Sequence, residues 1–366
     1  MTNPLAEQLR RRIRLTGPVT VADYMADALG HPDHGYYMTR DPLGAAGDFT
    51  TAPEISQMFG ELIGLWCAEV WRTTLAPRPV RLVELGPGRG TLMADALRAA
   101  RLAPDFLAAV SVHMVETSPV LTAMQRRSLA GHDARWYEAL EDVPDGPTLL
   151  IANEFFDALP IRQFEMTDAG WRERMVGLDE DGVTFRMGLA PGGSVAETLI
   201  PETVRRSASK GDIAEVCPAG QSIIRAIGER ITRHGGAALI IDYGHATSAA
   251  GDSLQALRGH EFHDPLQDPG TADLTAHVDF AALGTAVREG GAAVYGPIGQ
   301  GEFLTRLGIE TRAEQLIGNA TPDQAIDIAA ARARLIDKAQ MGYLFKVMAI
   351  MPPAAAPPPA FEEIAG

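Results

Sequence analysis

A series of short apolar runs, separated by segments of helical periodicity, is the clearest pattern along the chain. The apolar runs have the length of buried strands. They cover residues 80–85, 110–116, 148–154, 237–244 and 344–351. Helices are predicted between them, from about Thr91 and from about Pro119. Because strands that alternate with helices pair in parallel, the pattern predicts an α/β protein built on a mostly parallel sheet.

The chain before this sheet, residues 1–79, is predicted to form a helical N-terminal arm with a covering loop. Residues 1–30 have helical periodicity, whereas residues 31–54 are rich in turn residues. Thr51 and Glu54 have the spacing of a capping box, with a threonine at the cap and a glutamate three residues later. That spacing predicts the start of an apolar helix.

Residues 161–235 interrupt the alternation of strands and helices. Alternating segments joined by turn residues predict antiparallel strands there, and so a β-rich inserted lobe. The main domain would then consist of residues 80–160 and 236–351. The proline- and alanine-rich end of the chain, residues 352–366, has the composition of a disordered tail.

Composition argues against several classes of protein. The formal net charge is −15, from 47 acidic and 32 basic residues, and this disfavours nucleic acid as the main partner because phosphate binding needs basic surface. No apolar run approaches the roughly 20 residues of a membrane span, so no membrane insertion is expected. Cys67 and Cys217 have no Cys or His neighbours at metal-ligand spacing, so no metal site is expected. The first residues lack the apolar core of a secretory signal.

A glycine-rich turn follows the first predicted strand. The segment "LVELGPGRGTL" ends the strand near Glu84, and its turn contains Gly86, Gly88 and Gly90. Glycines let a ligand approach the backbone beside the exposed amides of the next helix. The dinucleotide pattern requires a third glycine where Thr91 stands, which disfavours NAD. The spacing instead resembles the first motif of class I S-adenosylmethionine methyltransferases, whose Rossmann-like fold has an antiparallel last strand.

The next strand ends in a second acid, Glu116. A carboxylate at this place is suited to accept hydrogen bonds from both hydroxyls of a ribose, as it does in nucleotide-type cofactor sites. The alternative is a glutamate that caps the helix beginning at Ser118 and Pro119. Together with Glu84 and the glycine turn, Glu116 predicts a cofactor site.

The buried strand at 148–154 ends in two polar residues, Asn153 and Glu154. Ligands of doubly wound sheets lie over the carboxyl ends of the strands, where the first strand neighbours the fourth. We therefore expect Asn153 to contact the cofactor and Glu154 to be a catalytic carboxylate beside it, since a glutamate can hold a guanidinium by two parallel hydrogen bonds. Asp157 would supply a second carboxylate if the segment turns helically. The alternative for Glu154 is a helix cap or a buried partner of an arginine.

Five segments resemble the MidA family, relatives of a mitochondrial complex I assembly factor with a class I methyltransferase fold. They are "GDFTTAPEISQMFGELIG", "LVELGPGRGTL", "NEFFDALP", "IIDYG" and "LTAHVDF". The resemblance covers about residues 17–350 and implies S-adenosyl-L-methionine as cofactor. It also implies methylation of an arginine on the 49 kDa-type subunit of NADH:quinone oxidoreductase, and it carries over the three glycines and Glu116 as cofactor contacts. Glu154 matches the acid that protein arginine methyltransferases place after the fourth strand, although their double-glutamate loop is not reproduced.

Two other functions remain open at this point. The protein could be a small-molecule methyltransferase whose inserted lobe closes over the substrate, or an assembly chaperone that binds the cofactor without catalysis. The sequence leaves the oligomeric state open. Because the N-terminus shows no transit peptide, we expect a bacterial, cytoplasmic protein.

Overall fold

The structure is a computed structural model that describes residues 3–41 and 50–362. Its helices, labelled in chain order, are α1 (Pro4–Thr16), α2 (Val21–Gly30), α3 (Tyr36–Thr39), α4 (Ala52–Ile55), α5 (Gln57–Thr74), α6 (Thr91–Ala99), α7 (Pro104–Ala109), α8 (Pro119–Ser128), α9 (Glu202–Ser207), α10 (Pro218–His234), α11 (Phe280–Glu289), α12 (Gln300–Arg306), α13 (Ile309–Ile317), α14 (Pro322–Ile336) and α15 (Met341–Leu344). Its strands are β1 (Val19–Thr20), β2 (Val80–Leu85), β3 (Val110–Val115), β4 (Ala134–Tyr137), β5 (Thr148–Asn153), β6 (Arg162–Thr167), β7 (Gly170–Leu178), β8 (Phe185–Leu189), β9 (Ile213–Val216), β10 (Gly236–His245), β11 (Gln255–Arg258), β12 (Glu261–His263), β13 (Asp273–Thr275), β14 (Val278–Asp279), β15 (Ala293–Gly299) and β16 (Phe345–Met351). Each apolar run singled out in the sequence forms a strand, namely β2, β3, β5, β10 and β16.

Residue contacts group the described chain into two units. The sheet unit contains the described residues within 50–156, 224–246 and 283–366, and the insertion unit contains those within 1–49, 157–223 and 247–282. The grouping places α1, α2 and α3 with the inserted strands rather than in a separate arm. The predicted division into an arm, a main domain, a lobe and a tail stays a prediction.

The sheet unit is built on a mostly parallel sheet. Its strands follow the order β15-β16-β10-β5-β2-β3-β4. Strands β10, β5, β2, β3 and β4 pair in parallel, and β16 pairs antiparallel with β10 and β15. The central strands are buried, as their continuous apolar sequences predict. The predicted Rossmann-like sheet with an antiparallel last strand is confirmed.

The helix predicted to start near Thr51 is interrupted at Ser56, which has extended backbone between α4 and α5. The Ser56 side chain caps α5 by accepting a hydrogen bond from Met58 N. The capping-box prediction is wrong, because the Thr51 side chain makes no cap hydrogen bond to any described residue and Glu54 bonds elsewhere in the sheet unit.

Residues 352–362, which belong to the predicted tail, pack on the sheet unit. Trp66 Nε1 donates a hydrogen bond to Pro359 O at 3.1 Å, and the rings of Phe361 and Phe303 lie 5.7 Å apart. The hydrogen bond and the ring contact together hold this segment on the core. Residues 363–366 lie outside the described residues.

The insertion unit is β-rich and antiparallel. One sheet has the order β1-β7-β6-β9, with β8 paired to β7, and a second has the order β12-β11-β13. Helices α1 and α2 bury one face each, through residues such as Leu5, Leu9 and Met25. Asn3 caps α1, and Thr20 forms a capping box with Asp23 at the start of α2.

Candidate active site

The glycine turn connects β2 to α6, and its three glycines have left-handed backbone conformations. The φ angles of Gly86, Gly88 and Gly90 are 59°, 52° and 80°, which residues with a Cβ atom rarely adopt. A Cβ atom on Gly86 would lie 2.9 Å from Cδ2 of Phe155. The turn therefore needs glycine for its backbone path and approaches the segment after β5 closely.

Glu84 lies near the end of β2, directly before this turn, and is 3% exposed. Burial, and then the negative charge of Glu116, raises the pKa of Glu84 to about 8. None of the described residues donates a hydrogen bond to its Oε2 atom. A buried acid with an unused acceptor is suited to a ligand that brings a donor or a positive charge.

Glu116 follows β3, and its carboxylate is oriented by hydrogen bonds to both oxygens. Oε1 accepts from Ser118 N at 2.8 Å, and Oε2 accepts from Gln125 Nε2 at 3.0 Å. Burial raises the pKa of Glu116, and the hydrogen bonds to the carboxylate oppose this rise. Capping of α8 is performed by Ser118, whose Oγ accepts from Leu121 N. Glu116 therefore presents a fixed acceptor rather than a helix cap.

Gln125 connects the glycine turn to Glu116, and sequence reasoning missed it. Its Nε2 atom donates to Gly88 O at 2.8 Å as well as to Glu116, and the side chain is 0% exposed. A signal was present, because Leu121 and Gln125 are four residues apart on the buried face of α8. A polar side chain at such a position must find partners inside the protein.

Glu154 follows β5 and has a positive φ of 49°. This conformation is uncommon for residues with a Cβ atom, and strain of this kind clusters at functional sites. Its Oε1 atom accepts hydrogen bonds from Ala52 N at 2.9 Å and from Asn153 Nδ2 at 3.2 Å. Glu154 N donates to Ile241 O at 2.9 Å, which continues the pairing of β5 with β10. The carboxylate is thus held at the carboxyl end of the sheet.

Asp242 on β10 holds the loop that carries Glu154. Its side chain is 0% exposed, and Oδ2 accepts from Phe155 N at 3.2 Å and from Phe156 N at 2.9 Å. Oδ1 accepts from Tyr243 N at 2.9 Å. Hydrogen bonds to a charged acceptor are strong, so Asp242 is a positioning residue for Glu154.

Helix α4 contacts two parts of the site: the glycine turn and the loop after β5 that carries Glu154. Glu54 accepts a hydrogen bond from Thr91 Oγ1 at 2.5 Å and forms an ion pair with Arg89 at 3.2 Å, both at the glycine turn. Ala52 N is one of the donors to Glu154. Helix α4 therefore links the glycine turn to the loop after β5.

The prediction for Asp157 depends on a helical turn over residues 154–157, and these residues form none. Asp157 belongs to the insertion unit and is 6% exposed. Its carbonyl oxygen accepts from Ala276 N at 3.0 Å. In that unit, burial together with the charges of Asp273 and Asp157 raises the pKa of Tyr37. The helical argument for Asp157 is wrong, and a catalytic role for it stays a prediction.

The other predicted site residues lie in the sheet unit at the carboxyl ends of β2, β3 and β5. They are Glu84, Gly86, Gly88, Gly90, Glu116, Asn153 and Glu154. Leu85 of β2 pairs with Ala152 of β5, which confirms that the first and fourth strands of the sheet are neighbours. Like Glu84, the buried Asn153 has an acceptor atom, Oδ1, without a partner among the described residues.

The arrangement suits a ligand that has a nucleoside part and a cationic part. The glycine turn leads directly into α6, Glu116 presents an oriented carboxylate, and Glu84 and Asn153 offer buried acceptors. Within residues 3–41 and 50–362, no group of three His, Cys, Asp or Glu side chains could hold a metal ion. None of the helices in those ranges is long and apolar enough to cross a membrane.

Comparisons with known proteins of similar sequence and structure identify methyltransferases. A family model described as an S-adenosyl-L-methionine-dependent methyltransferase matches residues 62–298. The chain is 41% identical to the protein arginine methyltransferase NDUFAF7 homolog of Drosophila melanogaster, over 95% of this chain and 85% of that protein. It is 39% identical to protein arginine methyltransferase NDUFAF7 of Homo sapiens, over 95% and 83%. A methyl transferase-type protein of Burkholderia thailandensis, crystallised with S-adenosyl-homocysteine, is 28% identical and has a TM-score of 0.83, with 98% and 94% of the two chains covered.

The same relatives correct the predicted location. The Drosophila and human proteins are both named as mitochondrial, and so is the 40% identical protein of Mus musculus. The prediction of a bacterial, cytoplasmic protein is therefore wrong.

Proposed function

The chain belongs to the family of S-adenosyl-L-methionine-dependent methyltransferases, and from this premise we propose that it methylates an arginine side chain of a protein. The family establishes S-adenosyl-L-methionine as the cofactor, in agreement with the prediction from the sequence. The observation that carries the proposal is the oriented carboxylate of Glu154 beside the glycine turn. Relatives named as protein arginine methyltransferases support it.

The residues of the turn and of the strand ends fit this cofactor. Glycine at positions 86, 88 and 90 allows the left-handed backbone of the turn, and Gly86 lacks the Cβ atom that would collide with Phe155. The amides at the start of α6, where no side chain among the described residues caps the helix, would hold a carboxylate. Glu116 would accept hydrogen bonds from the ribose hydroxyls. The buried acceptors of Glu84 and Asn153 would face donors of the methionine part or the nucleoside.

Glu154 would hold the guanidinium and orient one of its nitrogens. The bound cofactor supplies a methyl group on a sulfonium, which is already a good leaving group. The protein therefore has to position the nucleophile and exclude water. A carboxylate grips a guanidinium by two parallel hydrogen bonds, and Ala52 N and Asn153 Nδ2 keep that of Glu154 in one orientation. Phe155 and Phe156, with perpendicular rings 5.2 Å apart, add apolar surface next to it.

We further propose the 49 kDa-type subunit of NADH:quinone oxidoreductase as the protein substrate. This finer proposal rests on the resemblance of five sequence segments to the MidA family. The net charge of −15 is consistent with it, because an acidic protein attracts an arginine-bearing partner.

Mass spectrometry of a purified 49 kDa-type subunit and, in parallel, of a whole-cell lysate, each incubated with the full chain and methyl-labelled S-adenosyl-L-methionine, tests both proposals. We expect label on an arginine of the subunit. Label on arginines of other proteins only would overturn the proposed subunit and leave arginine methylation standing. Label on small molecules only would overturn the protein substrate.

A further inference from the structure

Gln125 makes three hydrogen bonds that join separate parts of the proposed cofactor site. Its Nε2 atom donates to Gly88 O at 2.8 Å and to Glu116 Oε2 at 3.0 Å. Its Oε1 atom accepts from Trp136 Nε1 at 2.8 Å. One fully buried amide on α8 therefore contacts the glycine turn, the residue after β3 and a tryptophan on β4.

Trp136 determines which way this amide points. An indole nitrogen can only donate a hydrogen bond, so the atom that faces it must be the amide oxygen. The amide nitrogen then faces Gly88 O and the Glu116 carboxylate, and an ionised carboxylate and a carbonyl can only accept. The Arg126 guanidinium covers the Trp136 ring at 4.1 Å from its centroid, which helps to hold the indole in place.

The two donated hydrogen bonds act on different contacts of the cofactor. The bond to Gly88 O restrains a turn whose glycines all have positive φ angles. The bond to Glu116 Oε2, together with that of Ser118 N to Oε1, fixes the rotation of the carboxylate. Loss of the Gln125 amide would leave two acceptors of a buried region short of a donor.

We propose that Gln125 is a positioning residue that holds the glycine turn and Glu116 in one geometry for the ribose of the cofactor. The inference rests on the proposed function, in which Glu116 accepts hydrogen bonds from the ribose hydroxyls. If Gln125 only packs α8, its replacement would lower the stability of the protein. The ratio of the affinities for ribose and 2′-deoxyribose ligands would then stay unchanged.

Titration calorimetry on the full chain separates these two roles. The ligands are S-adenosylhomocysteine and its 2′-deoxyribose analogue, and the ratio of their Kd values reports the contribution of the 2′-hydroxyl. The variant is Gln125→Leu, which keeps the approximate volume and removes all three hydrogen bonds. Gln300→Leu is the matched control, because Gln300 is also 0% exposed but donates to a backbone carbonyl outside the site, Leu335 O at 2.9 Å.

We expect Gln125→Leu to weaken S-adenosylhomocysteine binding about 10-fold. The ratio of the two Kd values should fall at least about 3-fold in this variant, because the hydroxyl and the amide act through the same carboxylate. Gln300→Leu should leave the ratio as in the wild type.

An unchanged ratio in Gln125→Leu would overturn the inference, even if the overall affinity falls. Failure of the wild type to bind either ligand would overturn the proposed function instead. If Gln125→Leu does not fold, Trp136→Phe replaces it, since this change frees the amide to rotate but keeps the amide itself. A ratio lowered by Trp136→Phe supports the inference, and a ratio equal to that of the wild type overturns it.

Discussion

Glu84 is an acid that burial keeps largely protonated near neutral pH, because its pKa is raised to about 8. Between the ordinary value of 4.5 and this raised value, the folded chain binds more protons at Glu84 than the unfolded chain does. The free energy of unfolding of the ligand-free protein therefore falls as pH rises through this window. A ligand with a positive charge or a donor at Glu84 would relieve this cost.

Glu84→Gln should stabilise the ligand-free protein at about pH 8 and flatten the fall of stability between about pH 4.5 and 8, by an upper bound of about 5 kcal/mol. Glu116, whose pKa is also raised, should account for part of the slope that remains. Urea unfolding at a series of pH values measures both effects. Glu173→Gln is the control, because its buried carboxylate accepts from Arg162 Nε at 2.7 Å and Arg162 Nη2 at 2.6 Å, so this change should destabilise. Equal destabilisation by the two changes would contradict the conclusion that burial raises the pKa of Glu84.

Gly86→Ala should impair cofactor binding more than backbone strain alone explains. The new Cβ would lie 2.9 Å from Cδ2 of Phe155, at a φ of 59°. We expect a loss of S-adenosylhomocysteine affinity of about 10-fold or more, measured by calorimetry. Gly182→Ala is matched in φ, 67°, but no described atom lies within 4 Å of its new Cβ. It should cost about 1 kcal/mol of stability and leave affinity unchanged, and an equal loss of affinity in both variants would contradict the prediction.

The positions of the glycines, Glu116 and Glu154 at the carboxyl ends of the strands could be predicted, because they follow apolar strands closely. Their roles stay predictions. Gln125 and Asp242 act through partners that are distant in the sequence, so their roles depend on the register of the strands and helices. Asp157 was predicted from local spacing alone, and the chain does not turn helically there. The local sequence pattern therefore identifies site residues at the ends of strands. It does not identify the side chains, such as Gln125 and Asp242, that hold those residues in place.

The short helix α4 is the element that joins the two halves of the site. It is separated from α5 by extended backbone at Ser56, and its Glu54 side chain bonds Arg89 and Thr91 rather than the backbone at Thr51. The capping-box pattern of Thr51 and Glu54 is real in the sequence. In the structure, the Glu54 carboxylate instead bonds Arg89 and Thr91 at the glycine turn.

Glu54→Ala should detach α4 from the glycine turn. Hydrogen bonds to charged groups contribute about 1.5–3 kcal/mol each, so we expect destabilisation of that order and faster hydrogen exchange in α4. Glu69→Ala is the control, because Glu69 also bonds an arginine, Arg72, but on the exposed face of α5. The effect of Glu69→Ala should stay below about 0.5 kcal/mol. Similar exchange in α4 of both variants would show that Glu54 does not hold the helix.

On the scale of the whole molecule, the composition indicates the class of protein. The packing of individual segments depends on contacts between residues that are distant in the sequence. The sheet of the sheet unit follows from apolar runs, and the antiparallel insertion follows from alternating segments. The packing of residues 352–362 could not be predicted from their composition, because it depends on Trp66 and Phe303 elsewhere in the unit.

The net charge of −15 leads to a prediction about the approach of the substrate. Attraction between an acidic enzyme and an arginine-bearing protein is screened over about 10 Å at 0.1 M salt and over shorter distances at higher salt. The KM for the protein substrate should therefore rise several-fold between about 0.02 and 0.5 M salt, whereas kcat changes little. Steady-state kinetics over this range measure both constants. A KM that is independent of salt would contradict a role for the overall charge.

The claim that Glu154 acts on the substrate while the glycine turn binds the cofactor is tested most directly by Glu154→Gln. The glutamine oxygen can still accept from Ala52 N and Asn153 Nδ2, so the loop should keep its structure. Single-turnover methyl transfer and the Kd for S-adenosylhomocysteine are measured on the same preparation. The account predicts transfer lowered about 100-fold with the Kd unchanged. Transfer at the wild-type rate, or a Kd weakened as strongly as in Gly86→Ala, would contradict it.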